Sequence, residues 1–113
     1  MTGASGELEV SVEAGSADST VVRVSGELDL ATIARLEEAL GTVGLDGETI
    51  IDLTHCTFLD SSAVHVLANT SRAVDEAGGT LSLVASNPTI VRVLEIAAVD
   101  TMMPVHPTLD AAR

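Results

Sequence analysis

Residues 58–67, FLDSSAVHVL, place an acid and two adjacent hydroxyls between apolar residues on both sides. The apolar residues before Asp60 are typical of a buried strand and those after Ser62 of a helix, so the polar triplet falls at their junction. Aspartate and serine are preferred N-cap residues, which bind the first free amides of a helix. An exposed serine such as Ser61 is also well placed there to hold a phosphate, because unpaired N–H groups and the positive end of the helix dipole lie beside it.

The helix predicted over residues 61–77 turns one polar face outward. At about 100° per residue, small and apolar side chains, Ala63 among them, share one broad arc. The opposite arc holds Ser61, Ser62, His65, Asn69, Arg72 and Glu76. Both hydroxyls therefore lie at the start of the face that is predicted to be exposed. One cap residue is enough to start a helix, so capping alone does not explain two hydroxyls after an acid. The residues alone leave two interpretations open, a helix cap and a serine that carries a phosphate.

Catalytic and metal-binding chemistry matches the sequence poorly. A serine hydrolase would need Ser61 as nucleophile and His55, His65 or His106 as base, yet the flanks of Ser61 do not form G-x-S-x-G and no paired-glycine oxyanion loop is present. His55 and Cys56 are adjacent, which is not the two-ligand spacing of a zinc site, and no second ligand pair follows. We therefore expect no catalytic residues and no metal site.

Hydrophobic patterning divides the chain into alternating elements. Residues 7–13 alternate strictly and, with residues 20–26, suggest an antiparallel hairpin around the turn-rich segment between them. Later elements follow from apolar runs, glycines and the pair Asn87-Pro88, which predicts the start of a helix. The later predicted elements are a strand over 48–53, a helix over 61–77, a strand over 80–85, a helix from 88, and a short strand and helical turn within 101–113.

The first helix is predicted to start at Leu30, where the period of the apolar residues changes. Leu30, Ile33, Leu36 and Leu40 fall on one face at helical spacing, so we expect this face to be buried. Asp29 is the predicted N-cap, and a glycine after Leu40 the predicted end.

The order of the elements defines the fold class. Two strands precede three alternations of helix and strand, with connections long enough for right-handed parallel crossovers. This pattern predicts a single α/β domain with a small mixed sheet of four to five strands and helices packed mainly on one face. Residues 1–6 are predicted to be a flexible N-terminus.

Composition limits the partners and the compartment. The 113 residues carry 17 acids, five arginines and no lysine, for a net charge of −12. Such a surface repels phosphate backbones and anionic lipid, so we expect neither nucleic acid nor membrane as a partner. A basic protein partner and simple solubility both explain the acidity. One cysteine, and no leader-like or membrane-spanning apolar run, predict a cytoplasmic protein.

Two motifs carry a family resemblance. Residues 50–67, IIDLTHCTFLDSSAVHVL, resemble the signature of STAS-domain anti-sigma factor antagonists, in which a strand ends in Asp-Leu and a loop leads to Asp-Ser-Ser and a helix. Residues 24–33, VSGELDLATI, are similar to the family's strand followed by Gly-x-Leu-Asp. The element order matches the STAS fold over about residues 7–108, and we expect residues 7–113 to form the domain.

The resemblance implies a phosphorylation switch on Ser61. In the family, the first serine after the aspartate is phosphorylated by an anti-sigma factor that is also a kinase, and a phosphatase reverses the modification. The unphosphorylated antagonist binds the anti-sigma factor and frees a sigma factor. The kinase supplies ATP and Mg²⁺, so the chain needs no cofactor. Many members have glycine at the position of Ala63, where alanine suits the first helical turn.

Further residues are expected to meet the partner. The predicted contact residues are Asp29, Asp60, Ser62, His65, Asn69 and Arg72. For Asp29 and Asp60 both capping and partner contact stay open, and for His65 both an ordinary surface position and contact with a partner or a phosphate. The alternative function is a constitutive STAS interaction module without a phosphorylation cycle, in which Ser61 only caps the helix.

Overall fold

Five strands form one mixed sheet in the computed structural model, which describes residues 8–15 and 19–112. They are β1 Glu9–Ala14, β2 Ser19–Leu28, β3 Glu48–Leu59, β4 Thr80–Val84 and β5 Val105–His106. The strands lie side by side in chain order, with β1 antiparallel to β2 and every later pair parallel. The predicted hairpin and mixed sheet are confirmed. The predicted flexible segment, residues 1–6, lies outside the described residues.

Helices cover the two faces of this sheet unequally. The described helices are α1 Ile33–Leu40, α2 Ser61–Glu76, α3 Pro88–Ile96 and α4 Leu109–Ala112, with a 3₁₀ turn at Val99–Thr101. The first three helices pack over the main hydrophobic core on one face. The short α4 packs Ala112 on the other face, over a smaller cluster that contains Val21 and Val84. The prediction that the helices pack mainly on one face is confirmed.

The first half of β3 is buried on both faces, as its continuous apolar run predicts. Ile50 and Ile51 are both fully buried, and their side chains join different clusters because neighbouring strand residues point to opposite faces. This central strand is therefore a rigid base for the residues that follow it.

The start of α1 differs from the prediction. Oδ1 of Asp29 accepts the N–H of Ala31 at 3.0 Å and that of Thr32 at 3.1 Å, so its side chain stabilises a turn rather than the first turn of the helix. The helix begins only at Ile33, after Thr32. Leu30 lies in the turn and is 79% exposed, so its predicted burial is wrong. The other predicted core positions of α1 are buried.

The strand predicted to end at Leu53 continues as β3 to Leu59. Its second half follows β2 through two irregularities of register, one of them beside Gly26, whose φ of 110° favours glycine. This irregular pairing brings Leu59 opposite Leu28 at the ends of the two strands. The segment predicted as a loop is therefore strand, and it determines where α2 starts.

Two glycines join α2 to β4. Gly78 has a φ of 84°, the left-handed conformation that commonly ends helices, and the predicted stop at this pair is confirmed. Gly79 packs against the loop before β3 so closely that a Cβ would overlap the carbonyl oxygens of Leu45 and Gly47. The absence of a side chain at Gly79 therefore allows the two segments to meet.

Candidate functional site

The polar triplet lies where β3 leaves the sheet and α2 begins. The N–H of Asp60 donates to the carbonyl oxygen of Leu28 at 3.2 Å, which ties the end of β3 to the end of β2. Because β2 and β3 are parallel, the chain segments that follow them meet at the same edge of the sheet. The loop that contains Leu30 is thereby brought beside the N-terminus of α2.

Asp60 caps α2 with one carboxylate oxygen and holds the neighbouring loop with the other. Oδ1 accepts the N–H of Ser62 at 2.9 Å and that of Ala63 at 3.2 Å, so the predicted capping role is confirmed. Oδ2 accepts the N–H of Leu30 at 3.2 Å. Hydrogen bonds to the carboxylate, first of all from the Ser62 hydroxyl, lower the pKa of Asp60 below its ordinary value.

Replacing Asp60 with Ala is expected to destabilise the fold by about 1 kcal/mol, because the helix loses its cap. A carboxyl whose pKa is lowered by folding contributes to the free energy of unfolding above its unfolded-state pKa. This contribution is lost as pH falls through its folded-state pKa. Urea unfolding of both proteins at pH 7 and near pH 3 measures this effect, and the difference is expected to shrink at the lower pH. A difference that stays constant or grows on acidification would contradict the role of the charged carboxylate.

The two hydroxyls of the triplet differ in their bonding. The Ser62 hydroxyl donates to Oδ1 of Asp60 at 2.5 Å, and its side chain is half-buried. The Ser61 side chain is exposed, and its hydroxyl makes no hydrogen bond with any residue that the structure describes. An incoming phosphoryl donor would therefore meet a free nucleophile at Ser61 and an engaged hydroxyl at Ser62.

The remaining sequence-predicted contact residues fall into two groups. One group, at the corner where the loop meets α2, consists of Asp29, Asp60 and Ser62. The second group runs along the exposed face of α2 and consists of His65, Asn69 and Arg72. The Arg72 guanidinium donates to the Asn69 side chain at 3.2 Å. The second group continues from Ser61, because exposed helix residues three and four apart form one stripe.

Three large apolar side chains are exposed in the segments around this corner, which the sequence did not indicate. Leu30 is 79%, Ile96 74% and Phe58 47% exposed. Leu30 is bonded through its backbone to Asp60, Phe58 lies two residues before Asp60, and Ile96 lines a groove together with Ser61. Of the three, Ile96 is the one that lines the same groove as Ser61, and exposure of a large apolar side chain next to a candidate site is a signal of binding. Apolar residues carry no such signal in the sequence, where each resembles a core residue.

The residues considered for metal binding do not come together. Cys56 is buried in the main core and His55 is exposed, although they are neighbours in the chain. Burial raises the pKa of the Cys56 thiol, which keeps the thiol protonated and uncharged. Among the described residues, no three side chains of His, Cys, Asp or Glu are grouped as metal ligands.

The fold and this corner define a class of protein. Residues 10–112 match the family model of the STAS domain, and the chain belongs to that family. The predicted resemblance is therefore confirmed at the level of the family. Within the described residues, every helix is too short or too polar to cross a membrane.

Relatives of this chain carry the name of anti-sigma factor antagonists. The chain is 43% identical over 58 residues to the anti-sigma-F factor antagonist RsfB of Mycobacterium tuberculosis, a match that spans 50% of this chain and 48% of RsfB. A crystal structure of an anti-sigma factor antagonist from Mycobacterium paratuberculosis is 34% identical, with a TM-score of 0.87 over 96% of this chain and 93% of that one.

A more distant neighbour has been solved in two states. SpoIIAA in its unphosphorylated form has a TM-score of 0.72 at 22% identity, over 92% of both chains. The phosphorylated form of the Bacillus protein has a TM-score of 0.68, over 92% of this chain and 96% of that one. At this identity the likeness shows the fold, which both forms of SpoIIAA share with the present chain. By their names, these relatives are regulatory proteins rather than enzymes.

Proposed function

We propose that the unphosphorylated chain binds an anti-sigma factor that is also a serine kinase, and so releases a sigma factor. Phosphorylation of Ser61 by this kinase ends the binding, and a serine phosphatase restores it. The cycle belongs to the bacterial cytoplasm, and the kinase brings the ATP and Mg²⁺. The observation that carries the proposal is the free, exposed hydroxyl of Ser61 at the start of α2, in a family whose named relatives antagonise anti-sigma factors.

Hydrogen bonding favours Ser61 over Ser62 as the phosphate acceptor. A kinase must approach the acceptor oxygen along an open path and accept its proton. The exposed Ser61 hydroxyl meets this requirement without losing an interaction. The Ser62 hydroxyl would first have to leave Asp60, which would weaken the cap of α2.

The phosphate is expected to act on the partner directly, through contacts at the interface. A phosphoserine carries about −1.5 to −2 charges at neutral pH. The N–H groups of Ser62 and Ala63 are already bonded to the side chain of Asp60, and that of Val64 to its carbonyl oxygen. The N-terminus of α2 therefore has few free N–H groups to bind a phosphate on Ser61. The new charge is expected to face the partner that covers this corner.

Residues around Ser61 have matching roles in the proposal. The acids Asp29 and Asp60 favour a cationic partner, in agreement with the net charge of −12. Ser62 keeps Asp60 oriented, and the stripe of His65, Asn69 and Arg72 extends the contact along α2. The partner surface is therefore expected to be basic opposite the corner and polar along the helix.

Phosphorylation by purified anti-sigma factor kinases from the same genome tests the proposal. The chain and its Ser61→Ala and Ser62→Ala variants are incubated with each kinase and ATP, and peptides are read by mass spectrometry. We expect one phosphate on Ser61 in the parent chain and in Ser62→Ala, and none in Ser61→Ala. If every kinase leaves the parent chain unmodified while one binds it stably, the chain is a constitutive interaction module. Phosphate on Ser62 alone would assign the switch to the other hydroxyl.

A further inference from the structure

A groove between α2 and α3 opens directly beside Ser61. Its volume is about 240 Å³, and its walls come from the end of β3, the first turn of α2 and the last turns of α3. Apart from Asp60 and Ser61 the lining is apolar and consists of Leu59, Val64, Val93, Ile96 and Ala97. A cavity of about 150 Å³ accepts a benzene ring, so this groove has room for a leucine, methionine or phenylalanine side chain.

We propose that this groove receives an apolar side chain of the anti-sigma factor, and that a phosphate on Ser61 expels it. The inference rests on the proposed function, because it concerns how the same partner is held. The occupant is a large apolar residue on an otherwise basic surface of the kinase.

The position of the groove beside Ser61 supports an apolar side chain of the kinase as its occupant. Ser61 forms part of the groove wall, so a kinase that brings ATP to its hydroxyl must cover the mouth of the groove. Ile96 is 74% exposed on the rim, and covering such a side chain removes apolar surface from water. A few residues in well-packed, desolvated pockets near the centre of an interface contribute most of its binding energy. The groove is therefore placed where an anchor would contribute to binding.

Charge explains why phosphorylation would empty the groove. The lining offers no cation, since its only charged member is Asp60, and the Asp60 carboxylate is already bonded to Ser62, Ala63 and Leu30. A phosphate dianion at the rim would have to lose water when an apolar side chain seals the groove. Water would stay with the phosphate, and the anchor would leave.

Two variants alter the groove without touching Ser61 or Asp60. Ile96→Gln makes the rim polar at an exposed helical position, and Ala97→Met fills the groove from its own wall. Val12→Gln is the matched control, because Val12 is 44% exposed on the edge strand β1 and lies outside this groove. Thermal unfolding of each variant checks that the fold is kept.

The probe is the purified anti-sigma factor kinase that phosphorylates Ser61, and calorimetry measures its affinity for each chain before and after phosphorylation. We expect Ile96→Gln and Ala97→Met to weaken binding of the unphosphorylated chain at least tenfold, and Val12→Gln less than twofold. For Ser61 phosphorylation, KM should rise and kcat stay within about threefold. The loss of affinity caused by phosphorylation should be at least threefold smaller in Ile96→Gln than in the parent chain.

Other results would overturn the inference. If both groove variants bind within twofold of the parent chain while Ser61 is still phosphorylated, the groove has no role and the proposed function stands. If Ile96→Gln changes the sedimentation of the chain alone but not its affinity for the kinase, the groove binds a second copy. If no anti-sigma factor kinase binds or phosphorylates the parent chain, the proposed function and this inference fail together.

Discussion

Phosphorylation of Ser61 is expected to lower the affinity for the anti-sigma factor at least a hundredfold while the fold stays unchanged. The partner's cations are expected to be paired already with Asp29 and Asp60, so a further dianion would enter the interface without cations of its own. Its desolvation would cost several kcal/mol, and about 2.8 kcal/mol is already a hundredfold. The helix dipole would return only about 0.3 to 1 kcal/mol, and Asp60 already binds the nearest amides. Calorimetry with fully phosphorylated and unphosphorylated chain measures the ratio, and amide chemical shifts report the fold.

Matched variants separate charge from the loss of a hydroxyl. Ser61→Ala removes the acceptor without adding charge, so its affinity should stay within about threefold of the parent chain, and treatment with kinase should not change it. Ser62→Ala should keep the full response to phosphorylation. A phosphorylated chain that binds as tightly as the unphosphorylated one would refute the switch, as would amide shifts that spread far beyond the corner.

Substitution of Gly79 by Ala is expected to destabilise the fold by about 3 kcal/mol. The new methyl group would overlap the carbonyl oxygens of Leu45 and Gly47, and backbone atoms cannot move aside as the end of a side chain can. Overpacking costs typically about 1 to 3 kcal/mol, and the upper value suits a clash with two peptide groups. Urea unfolding measures the loss, and the melting temperature should fall by more than about 10 °C.

Gly41→Ala is the control for this prediction. Gly41 follows α1 with a φ of −67°, and a Cβ there would have only ordinary contacts with the helix, the nearest at 3.4 Å. Alanine should therefore leave stability unchanged or raise it by up to about 1 kcal/mol. Equal stability of Gly79→Ala and the parent chain would mean that the two segments separate at little cost.

Local patterns allowed most elements to be predicted from the sequence. The start of α3 is an example, since Asn87 accepts the N–H of Thr89 at 2.9 Å and Pro88 occupies the first turn, as the residue types indicate. The buried face of α2 followed from spacing alone, although Ala77 at its end is exposed. These features depend on residues within one or two turns, which is the range over which patterns are informative.

Features that depend on distant contacts could not be predicted. Leu30 has the spacing of a core residue, but the side chain of Asp29 stabilises a turn there. The N–H of Leu30 donates to Asp60, which lies 30 residues further along the chain. The second half of β3 looks like a loop until its partner strand is known. The groove beside Ser61 joins residues of three elements, so no single stretch of sequence reveals it.

The choice between the two serines shows the same limit at shorter range. Ser61 and Ser62 are the same residue type, and the sequence supported Ser61 as the phosphate acceptor only through a family resemblance. The structure distinguishes them because one hydroxyl is bonded to Asp60 and the other is free. The orientation of the Asp60 side chain decides this, and it depends on the path of α2 as well as on residue type.

The hydrogen bond from Leu30 to Asp60 makes the corner a composite of two chain segments. Neither segment presents the surface by itself, because Leu30 and Asp60 become neighbours only when the sheet has formed. A partner that touches both recognises a conformational epitope rather than a linear motif. Unfolded or partly degraded copies would then neither titrate the partner nor be modified by it, and the strength of the signal would follow the amount of folded protein rather than the amount synthesised.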